Sequence, residues 1–103
     1  MSWVRLAGSS DLADGIPVGV RHGEQFVLLV RSSGRLFALD DTCSHEECPL
    51  SDGTVTDTEI VCPCHGSVFD LRSGEALTGP ALASVRTFAA RELDGGVEVE
   101  LPD

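Results

Sequence analysis

The chain predicts a small all-β sandwich or barrel. Short runs alternate apolar with polar residues, Gly-, Ser- and Asp-rich turns separate them, and only one short segment hints at a helix. That segment, Ser10-Asp11-Leu12-Ala13-Asp14, reads as a single turn with Ser10 as its cap. Residues 16–21 and 25–30 read as a hairpin around Arg21-His22-Gly23-Glu24. Ser32-Ser33-Gly34-Arg35 turns into a further strand at 36–39. Residues 59–61 and 67–70 read as strands flanking a cysteine-rich segment. Residues 85–89 and 97–101 are expected to pair across Asp94-Gly95-Gly96, with Val97, Val99 and Leu101 on one face. Phe26, Phe37, Phe69 and Phe88 read as core aromatics, and Trp3 as core or edge packing.

At 103 residues the chain is expected to form one domain, residues 1–103. An apolar content of 42% with 23% charged residues is globular, not disordered. The formal charge of −10 argues against nucleic acid and anionic membranes and favours basic patches on partner proteins. All seven fixed positive side chains are arginine. The N-terminus shows no basic segment followed by an apolar run, and no stretch approaches the roughly 18 apolar residues of a membrane helix. A cytoplasmic, soluble protein is expected. In that setting four cysteines suggest metal binding or redox work rather than a disulfide scaffold.

All four cysteines and two of the three histidines fall within residues 43–65. Cys43-Ser44-His45 and Cys62-Pro63-Cys64-His65 each set a thiol beside an imidazole, and Cys48 follows the first. This mixture suits zinc, copper or iron–sulfur chemistry. Structural zinc prefers wider, unmixed spacings. One cysteine and one histidine from each of two loops fit better a [2Fe–2S] cluster with two thiolates on one iron and two imidazoles on the other.

The pattern Cys43-x-His45-x16-Cys62-x2-His65 resembles that of the Rieske iron–sulfur family. Pro49-Leu50-Ser51-Asp52-Gly53, Gly66, Phe69-Asp70 and Gly79-Pro80-Ala81 extend the likeness, which runs from about Trp3 to Leu101. The resemblance implies three stacked antiparallel sheets with one [2Fe–2S] cluster between two loops at a tip. It implies Cys43 and Cys62 as thiolate ligands and His45 and His65 as imidazole ligands. Pro80 is expected to cover the cluster and Phe69 to shield it. Cys48 and Cys64 stand where respiratory Rieske proteins carry a loop-tying disulfide, so a Cys48–Cys64 bond is expected. Ser67 matches the position of a hydroxyl donor to a bridging sulfide. Phe69 stands where those proteins have a second donor, a tyrosine, which implies an intermediate reduction potential.

Other polar residues have plainer readings. His22 reads as a solvated turn residue and Asp40-Asp41 as a strand-end turn. Glu46 and Glu47 are either a polar loop or an acidic rim that selects basic partners. The resemblance implies a monomeric one-electron carrier and no catalysis by this chain alone. Electrons would pass from a flavin-dependent NAD(P)H ferredoxin reductase to a terminal oxygenase of aromatic-ring catabolism. Both partners would dock at the His45/His65 tip. The alternatives are the Rieske-type small subunit of another oxidoreductase such as nitrite reductase, a zinc-stabilised interaction module, and a respiratory or arsenite-oxidase-type subunit.

Overall fold

The computed structural model describes residues 1–42, 48–64, 66–79 and 83–102. Eleven strands form three antiparallel sheets among these residues. The first sheet holds β1 (Ser2–Gly8), β11 (Gly96–Leu101) and β10 (Ala90–Leu93), in that order. The second runs β2 (Val18–His22), β3 (Gln25–Ser32), β4 (Arg35–Asp40) and β9 (Thr87–Phe88). The third runs β5 (Thr54–Thr56), β6 (Glu59–Val61), β7 (Val68–Asp70) and β8 (Ala76–Thr78). No α-helix occurs among the described residues; 3-10 turns lie at Ser9–Asp11 and Leu50–Asp52.

The second sheet is the middle layer, and β3 shows why. Val27, Leu28, Leu29 and Val30 are all fully buried, so the strand has no solvent face. Leu28 and Val30 pack with Phe37, Leu39, Leu50, Ile60 and Phe69 toward the third sheet. Val27 and Leu29 pack with Ala38, Val97, Val99 and Leu101 toward the first. A strand covered on both faces reads as a continuous apolar run, which is how residues 27–30 appear in the sequence. Each such side chain contributes roughly 1.5–3 kcal/mol relative to exposure. Val97, Val99 and Leu101 share the buried face of β11, as their alternation predicts.

Three expectations need correction. Residues 97–101 form no ladder with 85–89, although Glu100 N–H donates to Ala89 O at 2.9 Å. Their partner is β10, through Leu93↔Gly96 to Ala90↔Val99, while Phe88 and Thr87 pair with Ala38 and Leu39 of β4. Ala90-Arg91-Glu92-Leu93 has little strand propensity of its own and is held by β11. The turn between them, Asp94 (φ 53°) and Gly95 (φ 75°), is the left-handed pair that a two-residue hairpin requires. The early helical turn is a 3-10 turn at Ser9–Asp11, not a Ser10-capped turn reaching residue 14; the Gly8 N–H donates to Asp11 Oδ2 at 2.9 Å. Phe26 is 52% exposed instead of core. It lies at the start of β3 opposite Arg21, whose guanidinium sits 5.4 Å from the ring centroid. Asp40-Asp41 stands at the end of β4 as expected, and Asp41 is buried; its partners are described with the site.

Arg31 on β3 and Glu92 on β10 tie the middle layer to the first sheet through a bidentate pair, Nη1–Oε1 at 2.5 Å and Nη2–Oε2 at 3.1 Å. The hydrogen bond from Arg31 is the main cause that holds the Glu92 carboxyl down at about 2, against an ordinary value of 4.5. A depressed acid stabilises the fold above its unfolded pKa, and that contribution fades as pH falls through the folded one. Glu92→Gln should therefore melt below wild type at neutral pH, with the two curves converging as pH falls from 4.5 toward about 2. A gap in melting temperature that is constant over this range would mean that the pair contributes no pH-dependent stability.

Candidate metal centre

Two loops meet at one end of the third sheet. The loop between β6 and β7 is closed by backbone bonds: Cys62 N–H donates to Ser67 O at 2.7 Å, and Gly66 N–H to Cys62 O at 3.1 Å. These bonds turn Cys62 and Ser67 inward, and both are buried; Phe69, two residues on, is fully buried beneath them. The connection from β4 to β5 supplies the other loop. Thr42 and Pro49 form an antiparallel bridge, and Leu50 N–H donates to Asp41 O at 3.1 Å, so Asp41-Thr42 and Pro49-Leu50 lie side by side.

Cys48 and Cys64 are joined in a disulfide with a sequence separation of 16, which ties the two loops together. Cys62 stands outside that bond, and the sulfurs of Cys48, Cys62 and Cys64 all lie within 4.8 Å of one another. Close packing alone does not make these three a metal site. Two of them are committed to each other and offer no thiolate.

The structure thus places Cys62, Ser67 and Phe69 together beside the Cys48–Cys64 bridge. The expected site residues Cys43, His45, His65 and Pro80 lie outside the described residues, as do Glu46 and Glu47. Asp41 is one residue whose role the sequence did not suggest. Its Oδ1 accepts from Ser51 N–H at 2.6 Å and its Oδ2 from Ser51 Oγ at 2.7 Å. Burial pushes its carboxyl above the usual carboxylate range, while the two bonds from Ser51 pull the other way. An aspartate ending a strand and a serine ten residues later carry no pattern that would reveal this contact. On the far side of the loop, Asp70 accepts from Arg72 Nη2 at 2.9 Å and from Arg72 N–H at 2.7 Å. Arg72 holds its carboxyl below the ordinary value and stiffens the β7–β8 connection.

The Rieske [2Fe-2S] domain family model matches residues 2–89. The chain belongs to that family. The ferredoxin component of biphenyl 2,3-dioxygenase from Rhodococcus jostii is 33% identical over 105 residues, covering 94% of this chain and 98% of the relative. The Sphingomonas yanoikuyae ferredoxin superposes with a TM-score of 0.92 at 30% identity, covering 98% of this chain and 100% of that one. A chain from the complex of reduced oxygenase and oxidized ferredoxin in carbazole 1,9a-dioxygenase superposes with a TM-score of 0.88 at 28% identity, covering 94% and 91%. The three-layer fold is thus that of Rieske ferredoxins, and the cofactor is a Rieske-type [2Fe–2S] cluster.

The donor set of this Rieske domain suits that group. With Cys48 and Cys64 bonded to each other, two thiols remain, Cys43 and Cys62, and an imidazole lies close to each in sequence. Removing the tie is expected to loosen both loops. Replacing Cys48 and Cys64 together with alanine should lower the unfolding free energy by about 3 kcal/mol, the cost expected for a bridge closing a loop of this length. Urea denaturation monitored by circular dichroism measures it; an unchanged midpoint would show that the bridge does not restrain the unfolded chain.

Proposed function

We propose that the protein carries single electrons between a flavin-dependent NAD(P)H ferredoxin reductase and the terminal oxygenase of an aromatic-ring-hydroxylating system. The observation that carries this reading is mutual coverage: this chain and the Sphingomonas yanoikuyae ferredoxin align over 98% and 100% of their lengths. The likeness to a chain from an oxygenase–ferredoxin complex supports the oxygenase as one partner. In this reading residues 1–103 act as one Rieske unit that transfers electrons and performs no substrate chemistry.

Cys43 and Cys62 would hold one iron as thiolates, and His45 and His65 the other through one ring nitrogen each. When bound, the group supplies a reversible one-electron couple. Neutral imidazoles in place of thiolates ease reduction, with Rieske centres spanning about −150 to +300 mV against about −400 mV for plant-type ferredoxins. The two histidines would form the edge at which partners dock as the monomer meets them. The net charge of −10 supports partners with basic docking faces. No helix among the described residues is long and apolar enough to cross a membrane. A cytoplasmic setting accords with reductase and oxygenase partners.

Ser67 and Phe69 would set the potential. The Ser67 hydroxyl is buried within the cysteine loop and would donate to cluster sulfur; Phe69 is equally buried and has no hydroxyl to add. Ser67→Ala should lower the midpoint potential by about 60 mV or more, the equivalent of one charge-assisted hydrogen bond of roughly 1.5 kcal/mol. Protein-film voltammetry reads this, and an unchanged midpoint would remove Ser67 from the role. The carrier reading itself is tested by reconstitution. Purified protein should be red-brown and bleach on reduction. Leaving it out of a mixture of a ring-hydroxylating reductase and its oxygenase should arrest product formation; unchanged turnover would overturn the reading.

A further inference from the structure

Asp41 is a carboxylate buried at the edge of the middle sheet. It bonds to Ser51 twice, through the backbone N–H at 2.6 Å and the hydroxyl at 2.7 Å. Its backbone is held as well: its N–H donates to Phe26 O at 2.9 Å, and its carbonyl accepts from Leu50 N–H at 3.1 Å. These four bonds join β3, the end of β4 and the 3-10 turn at Leu50–Asp52. The chain between Asp41 and Leu50 is the first cysteine–histidine loop.

Gly19 on β2 completes the arrangement. A Cβ at this position would collide with Asp41 Oδ2 and come within 2.7 Å of Ser51 Oγ. The strand therefore passes close over the carboxylate–hydroxyl pair only because residue 19 has no side chain. A carboxylate taken from water is costly unless its oxygens find donors, and Ser51 provides one for each. The loop mouth is thus pinned to the scaffold by contacts separate from the Cys48–Cys64 bond. The disulfide ties loop to loop; the carboxylate ties loop to sheet.

We propose that Asp41, with Ser51 and beneath Gly19, is the positioning residue for the first ligand loop, fixing where Cys43 and His45 present their donor atoms. The proposal rests on those two residues being cluster ligands. Asp41 touches no reacting atom in this scheme and acts through the backbone of Thr42 and Pro49, which bridge directly beside it.

The test uses holoprotein and two readouts: the rate at which the visible absorbance bleaches under excess chelator, and the EPR spectrum of the reduced protein. Asp41→Ala removes both side-chain bonds, and Gly19→Ala displaces them while leaving Asp41 and Ser51 in place. Both should lose the cluster about tenfold faster or more, as when a partner that orients a metal ligand is removed, with shifted EPR g-values. Asp41→Asn keeps one acceptor and the side-chain shape, so it should stay within a few-fold of wild type with the wild-type spectrum. Wild-type bleaching in Asp41→Ala would overturn the proposal. So would faster bleaching with an unshifted spectrum and a matching drop in melting temperature. If Asp41→Ala does not fold, Ser51→Ala, which removes only the hydroxyl bond, is read instead; a wild-type rate and spectrum there overturns the proposal. Wild-type protein without a Rieske EPR signal would overturn the ligand assignment together with it, whereas a failure confined to the variants overturns the clamp alone.

Discussion

The Cys48–Cys64 bond is the covalent constraint that joins the two loops of the candidate metal centre. Each loop comes from a different part of the chain: one connects the middle sheet to the third, the other is an internal turn of the third sheet. Neither is long enough to build a core of its own. Joined, they share the apolar cluster that contains Leu50, Ile60, Cys62 and Phe69, so the loops rest on the same packing that holds the second and third sheets together. The scaffold and the candidate site therefore share one packing cluster. A change that loosens Phe69 or Leu50 reaches Cys62 directly.

The arginines have a second role beyond charge. Four of them lie over aromatic rings: Arg21 over Phe26, Arg35 over Phe37, Arg86 over Phe88 and Arg91 over Trp3. Arg91 comes within 3.9 Å of the Trp3 ring centroid and also donates to Glu98. Planar guanidinium groups cover apolar faces that the sheets leave open while keeping hydrogen bonds at their edges. An ammonium could not stack in this way, which gives a physical use for arginine in a chain without lysine. With several positive groups already paired to Asp70, Glu92 and Glu98, the surplus of acidic groups defines the field that an approaching protein meets.

Most of the architecture was readable because burial leaves a mark on residue order. The continuous run at 27–30 marks a strand covered on both faces, and alternation at 97–101 marks one covered on one face. β10 left no such mark, because its stability comes from its partner strand. Phe26 misled for a related reason: hydrophobicity does not reveal that a residue sits at a strand end beyond the neighbouring sheets. Spacing singled out the loops of the candidate metal centre, since thiols and imidazoles are too few in the chain to cluster by chance. The Asp41–Ser51 contact was invisible because aspartate and serine are ordinary turn residues. Only their burial and their distance from Gly19 distinguish them.

The close approach at Gly19 has a consequence for how such chains diverge. Position 19 lies 22 residues before the carboxylate and 32 before the hydroxyl, yet the three share one small volume. A family member that acquires any side chain at the first must surrender the acid at the second, the hydroxyl at the third, or the local course of the strand. A side chain at position 19 is therefore expected only together with a change at one of the other two positions or in the path of the strand.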